Sequence, residues 1–430
     1  MDYQKAYEER LGSLNDALAS VRSGEQLCTS GVLCEPTAFL SRFHEIVPRL
    51  ERVELLKGRN IDYPFMNMPE LREHVTVIGH LFDKSMRDAV NRGAVTHICA
   101  DLHNFMPNRT AYKPIDRFIA MASPMDANGN LHVAGCGMWE EAAYQSAKHI
   151  ILEVNPFLPP FRGSLAIPVE QVDMLYEAPQ PLTEYPQASV SETDRIIGDI
   201  VASLVHDGDC IQIGLGGMPD AVGRSFMDKK DLGLHTELFT PVTGKLIEAG
   251  VITGRRKTID PGEHVGSFVM GDKTLYDALL HDPHVRFSQC TYTNSPAVIA
   301  RIDNFVSVNT AMEIDLTGQI CSESIGPVQY SGTGGALDFA YGALHSRGGR
   351  GIIAIASTTK RERISKIKAQ LTPGSVVSIP RNTADIVVTE YGVAYLRGRS
   401  VRERVMNLIA VAHPDYREEL RAEARKLHYI

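Results

Sequence analysis

Cys210-Ile211-Gln212-Ile213-Gly214-Leu215-Gly216-Gly217-Met218-Pro219 reads as a buried strand that runs into a glycine turn and out into a helix. The strand is expected over residues 210–215 and the helix from about Pro219. Upstream, Ser191 with Asp194 makes a capping-box variant that opens another helix. Ile196, Ile197, Ile200, Val201, Leu204 and Val205 then recur at helical spacing, and His206-Asp207-Gly208-Asp209 ends it. The same order returns downstream. Residues 352–356 form a short apolar run, Ser357-Thr358-Thr359-Lys360 follow, and a basic helix is expected next. Residues 376–379 and 386–389 add further β-branched strands. Alternation of this kind predicts an α/β fold with mainly parallel sheets and helices on both faces.

A chain of 430 residues is too long for one ordinary core. The boundary falls in the stretch from Ala178 to Val190, which carries Pro179, Pro181 and Pro186, so two domains are expected, residues 1–185 and 190–430. The first has weaker signals. Residues 75–78, 96–100 and 118–122 read as strands. Asp126-Ala127-Asn128-Gly129 reads as a turn with residues 131–133 returning as a hairpin. The opening segment to Ser23 reads as one amphipathic helix through Leu11, Leu14, Leu18 and Val21.

Hydrophobic residues make up 43% and charged residues 22%, the balance of a soluble globular protein. A formal net charge of -8 without blocks of like charge argues against nucleic acid as a partner. Seven scattered cysteines form no C-x-x-C pair, so neither a zinc ribbon nor a disulfide framework is indicated. That usage, and a start Met1-Asp2-Tyr3-Gln4-Lys5 lacking the basic and apolar regions of a signal peptide, lead us to expect a cytoplasmic protein. No apolar run is long enough to span a bilayer.

Glu237 is the residue most in need of explanation. Across residues 232–239, Leu234, Thr236 and Leu238 share one strand face, and His235, Glu237 and Phe239 share the other. A carboxylate there is expensive to bury, so it needs a partner or a catalytic role. The plainer reading is an ion pair with Lys245 or Arg255. His235 can orient the carboxylate, although a lone histidine more often only packs. Ser331-Gly332-Thr333-Gly334-Gly335 runs into the helix start Ala336-Leu337-Asp338-Phe339, where backbone amides can hold an oxyanion or a phosphate. The apolar residues directly after it count against a free surface loop. Gly214 to Gly217 can serve a phosphate or only a tight turn, and Lys360 stands either at a strand's carboxyl end or in solvent. Asp101 and His103 lack metal-ligand spacing, and no metal is expected. Trp139 reads as packing.

At these residues the chain resembles the acetyl-CoA hydrolase/transferase family of class I CoA-transferases, most of all its 4-hydroxybutyrate/butyrate branch. The resemblance rests on residues 213–221, His235-Thr236-Glu237-Leu238, residues 307–313, residues 332–339 and Thr389-Glu390-Tyr391-Gly392-Val393-Ala394. Ser123-Pro124-Met125-Asp126-Ala127-Asn128-Gly129 and Ile151-Leu152-Glu153-Val154-Asn155 carry it more weakly in the first half. It implies two CoA-transferase-type open α/β domains with the active site between them. It implies Glu237 as nucleophile, with Asn294 and the Gly335 amide as oxyanion donors. It implies CoA contacts at Gly214, Leu215, Gly216, Gly217, Met218, Met312, Ser331, Gly335 and Lys360. Phe239 and Thr240 stand where the branch often has Met and Ser, and the stretch from Arg347 to Lys360 is longer than in some relatives.

The expected function is transfer of CoA from acetyl-, butyryl- or succinyl-CoA to a short acid. The acid is 4-hydroxybutyrate, butyrate or a dicarboxylate such as itaconate. Coenzyme A is a substrate here, and no nicotinamide cofactor is expected. Arg109, His103 and Arg162 are candidates for a second carboxylate, and a homodimer or larger homo-oligomer is expected. The rivals are an acyl-CoA hydrolase and an NAD-dependent oxidoreductase that uses Gly214 to Gly217 as a dinucleotide turn.

Overall fold

The structure is a computed structural model that describes residues 2–58, 62–82, 84–185 and 187–430. Pro186 of the proline-rich stretch lies outside them. The chain divides into two compact units: Met1–Tyr185 with Ser267–Tyr292, and Pro186–Gly266 with Thr293–Ile430. A single cut near residues 185–190 puts residues 267–292 in the second half of the chain. The division assigns them to the first unit, and several of their backbone bonds go to it. Val269 N–H donates to the Gly135 carbonyl at 3.2 Å, Phe287 N–H to Arg162 at 2.9 Å and Cys290 N–H to Gly137 at 2.6 Å.

The first unit is built on β1 (Gln26–Thr29), β2 (Val53–Lys57), β3 (Val75–Gly79), β4 (Val95–His97), β5 (Arg117–Ala122), β6 (His149–Val154) and β7 (Met174–Glu177). They form one sheet in the order β4-β3-β2-β1-β5-β6-β7, all parallel. In the second unit, β8 (Cys210–Ile213), β9 (Gly233–Phe239), β10 (Phe305–Asn309), β11 (Arg350–Ala354) and β12 (Ile386–Thr389) run in the order β9-β8-β10-β11-β12. β8 is parallel to β9 and β10, and β10-β11-β12 continue in parallel; β13 (Gly392–Tyr395) closes that side antiparallel to β12. Both units therefore place their first strand centrally: β2, β3 and β4 extend the first sheet on one side of β1 and β5, β6 and β7 on the other, while β9 flanks β8 on one side and β10 to β13 lie on the other. That reversal of strand order makes a crevice beyond the strands' carboxyl ends, where open α/β sheets bind ligands.

The strands are short and apolar because both faces are covered. β5 and β8 are buried at every residue. β9 is buried on both faces as well, except at Glu237, so its alternating pattern does not mark a solvent face. The helix expected from Ser191 is Glu192–Ser203. Ser191 Oγ accepts from Asp194 N–H at 3.2 Å, and Asp194 Oδ2 accepts from Ser191 N–H at 2.9 Å, a complete capping box. Its Ile197 and Val201 face the core.

Several local expectations are corrected. The opening segment is two helices, Tyr3–Arg10 and Leu14–Ser20, because Ser13 caps the second with Asp16. The turn at Asp126–Gly129 forms as expected, with Asp126 N–H donating to the Asn130 carbonyl at 2.8 Å and Ser123 N–H to the His132 carbonyl at 2.9 Å; Asn130–Val133 in addition pairs antiparallel with Leu165–Pro168. The helix after the first glycine turn is Gly217–Arg224, starting before Pro219. No basic helix follows Lys360; Thr358 bridges Ser365 and Ile367–Lys368 is extended. Residues 376–379 form no strand, with only Ile379 bridging Ile320. Among the described residues no helix is long and apolar enough to cross a membrane.

Candidate active site

Glu237 lies near the carboxyl end of β9, two residues before Phe239 closes the strand. Asn294 follows the short helix Cys290–Thr293 and is buried. Gly335 is the N-cap of the helix Ala336–His345. The fold brings these three together in the second unit. Asn294 Nδ2 donates to Glu237 Oε2 at 2.7 Å. A Cβ on Gly335 would overlap both Glu237 Oε2 and Asn294 Nδ2, so only glycine lets this loop approach so closely.

Among the described residues no cation pairs with Glu237, which removes the ion-pair reading with Lys245 or Arg255. The residue is only half-buried, yet its carboxylate is withdrawn from water. That desolvation pushes its pKa up to about 7; the Asn294 hydrogen bond opposes the rise and the Asp338 charge adds to it. The outcome is a carboxylate steered by one amide and not neutralised. Such a group can attack an electrophilic carbonyl, and the same amide NH2 can then hold the oxygen on which charge develops.

His235 does not touch the carboxylate. Its Nε2 lies 2.9 Å from the Thr293 carbonyl oxygen. Gly214 to Met218 sit where β8 passes into the helix Gly217–Arg224, and Gly216 has φ 126°, a conformation that favours glycine. Met312 follows β10 and lines a cavity of about 300 Å³ with Thr359, Lys366, Lys368 and Thr372. Ser331 N–H donates to the Glu323 carbonyl at 3.0 Å. Lys360 is largely exposed, with Nζ 3.8 Å from Asp194 Oδ2. Among the described residues, Gly214 to Met218, Met312, Ser331 and Lys360 share no hydrogen bond with Glu237 or Asn294.

Among the first-unit candidates, Arg109 and Arg162 have partners within their own unit. Arg109 pairs with Glu54 at 2.5 Å and donates to Gln26 Oε1 at 2.7 Å. Arg162 Nε donates to the Val285 carbonyl at 2.9 Å. His103 lies on the first turn of the helix Leu102–Tyr112. Two further residues shape the site: Glu323, which carried no sequence signal, and Asp338, which was read only as part of a helix start. Glu323 accepts from Thr333 Oγ1 at 3.3 Å and Ser378 Oγ at 2.8 Å, tying the glycine loop down. Asp338, on the first turn after Gly335, is buried and raises the Glu237 pKa. Their roles depend on neighbours distant in sequence.

The N-terminal domain of the acetyl-CoA hydrolase/transferase family matches residues 1–185, and its C-terminal domain matches residues 271–424. The succinyl-CoA:cyclohexane-1-carboxylate CoA transferase of Geobacter metallireducens is 36% identical over 428 residues, covering 100% of this chain and 98% of that protein. The 4-hydroxybutyrate coenzyme A transferase of Clostridium kluyveri is 35% identical over 432 residues, covering 99% and 100%. The crystal structure of RipA from Yersinia pestis superposes with a TM-score of 0.95 at 33% identity over 100% of both chains. With both domains matched and relatives similar along the whole length, the chain belongs to the acetyl-CoA hydrolase/transferase family and is an enzyme of the CoA-transferase class.

Proposed function

We propose that the protein moves CoA from an acyl-CoA to a short carboxylic acid by ping-pong chemistry through Glu237. The observation that carries this reading is a desolvated carboxylate with no described cation, held by the Asn294 amide and fitted against Gly335. In the first step a Glu237 oxygen attacks the thioester carbonyl. The C–S bond breaks, leaving an acyl-glutamyl anhydride and CoA thiolate. The thiolate then attacks the glutamyl carbonyl and expels the donor acid as its carboxylate, so that Glu237 carries CoA as a thioester. The acceptor carboxylate runs the two steps in reverse. The glutamyl carbonyl oxygen occupies the place of Oε2, where Asn294 stabilises the tetrahedral oxyanion, a contribution of a few kcal/mol for such donors. Acetyl-, butyryl- and succinyl-CoA are the proposed donors. The proposed acceptors are 4-hydroxybutyrate, butyrate and dicarboxylates such as itaconate. The names of the two transferase relatives support the reaction class.

Incubation with acyl-CoA and no acceptor should leave CoA on Glu237. Borohydride should then reduce the thioester, inactivate the enzyme and mark Glu237 in peptide mass spectra. A mark on another carboxylate would overturn the assignment. Steady CoA release without acceptor, as fast as transfer, would make the enzyme a hydrolase instead.

A further inference from the structure

Asn294 serves Glu237 only if its carboxamide is held with the NH2 toward the carboxylate. A chain of contacts behind it does this. Thr293 Oγ1 lies 3.1 Å from Asn294 Oδ1, the far end of the same carboxamide. The amide plane is thus pinned at both ends, by Glu237 at the nitrogen and by the Thr293 hydroxyl at the oxygen. The hydroxyl donates, because an amide oxygen only accepts. The Thr293 carbonyl oxygen faces His235 Nε2 at 2.9 Å. A carbonyl also only accepts, so His235 must carry its proton on Nε2. His235, Thr293 and Asn294 are all fully buried, so water does not compete for these bonds. His235 and Glu237 stand two residues apart on the same face of β9. One rigid strand therefore carries the carboxylate and, through His235, anchors the segment bearing its amide partner.

We propose that Thr293, anchored by His235, is a positioning residue for CoA transfer that locks the Asn294 carboxamide in its donating orientation toward Glu237. This rests on the reading of Glu237 as nucleophile. Losing the hydroxyl frees rotation about the last bond of Asn294, so the donor is no longer fixed where charge develops. Such a loss falls on kcat more than on KM. It also weakens the hydrogen bond that opposes the upward pKa shift of Glu237, moving the pH–rate midpoint to higher pH.

The test compares Thr293→Val, which keeps the shape and removes the hydroxyl, with Thr293→Ser, which keeps the hydroxyl, in the full chain. Borohydride-trapped Glu237 label per unit time and the pH–rate profile are the readouts. Thr293→Val should label Glu237 about 10-fold or more slowly, by loss of one ordering bond to an oxyanion donor. Its midpoint should lie at higher pH, and the KM for acyl-CoA should stay near the wild-type value. Thr293→Ser should restore both rate and midpoint. Wild-type labelling and midpoint in Thr293→Val, or equal impairment in Thr293→Ser, would overturn the proposal. Should Thr293→Val fail to fold, His235→Leu against His235→Gln asks the same question, since only the glutamine can donate to the Thr293 carbonyl. Equal labelling in those two variants would overturn the His235 anchor. Absence of label in the wild type would overturn the nucleophile reading, and the positioning role with it.

Discussion

Gly335 shows how far one position constrains the site. A methyl group there would overlap the Glu237 carboxylate and the Asn294 amide, so Gly335→Ala must push the loop back. If one oxyanion donor is lost, kcat should fall by about 10²–10³ while the protein still folds. A steady-state assay showing only a KM change would reassign Gly335 to binding. As the proposed nucleophile, Glu237 would set the pH behaviour: attack needs the ionised form, so kcat/KM for acyl-CoA should climb with pH and level off above about 7. Stability runs the other way. The folded state holds the Glu237 proton more tightly than the unfolded chain, whose carboxyl has the ordinary value of 4.5. The contribution of Glu237 to stability therefore falls as pH rises from 4.5 to about 7. Urea titrations at several pH values should show Glu237→Gln gaining on the wild type across that window. An unchanged difference would mean the carboxylate is not desolvated. Glu237 was legible as a residue because a charge on an apolar strand stands out locally; its freedom from a described cation was not.

At the element scale, the glycine turns and caps were the most readable features, because their chemistry is local. Ser191 and Asp194 form the reciprocal cap their spacing predicts. Ser191→Ala should lower the stability of the second unit by about 1 kcal/mol, read as a lower denaturation midpoint with unchanged activity per folded molecule. A loss of activity in that variant would instead tie the helix to the site. The basic stretch after Lys360 forms no helix, although Arg361, Arg363 and Lys366 suit a helix in isolation. Pairing decided otherwise. Ile314 on a neighbouring strand registers with Ile367, and Lys366 N–H donates to the Ser357 carbonyl at 2.8 Å. Lys360 therefore stands on an exposed turn. As a CoA contact it should act as a screened point charge. Lys360→Ala should raise the KM for acyl-CoA a few-fold at low salt and progressively less at high salt. A fall in kcat alone would remove Lys360 from binding.

At the scale of the whole molecule, ligand linkage separates the remaining readings. Acyl-CoA at about 100 times its Kd should stabilise the fold by about 2.7 kcal/mol, whereas NAD should leave the thermal midpoint unmoved. A shift with NAD alone would revive the dinucleotide reading of Gly214 to Gly217. The sequence by itself determined the α/β class and the glycine turns at Gly214–Gly217 and Ser331–Gly335. These follow from hydrophobic period and glycine, both properties of a short window. Only the tertiary structure assigned residues 267–292 to the first unit and brought Asn294 to a carboxylate 57 residues away. Only it occupied Arg109 and Arg162 with internal partners and set His235 behind Thr293 instead of against Glu237. Desolvation, close backbone approach and long-range hydrogen bonds exist only once distant segments have packed, so no local pattern encodes them.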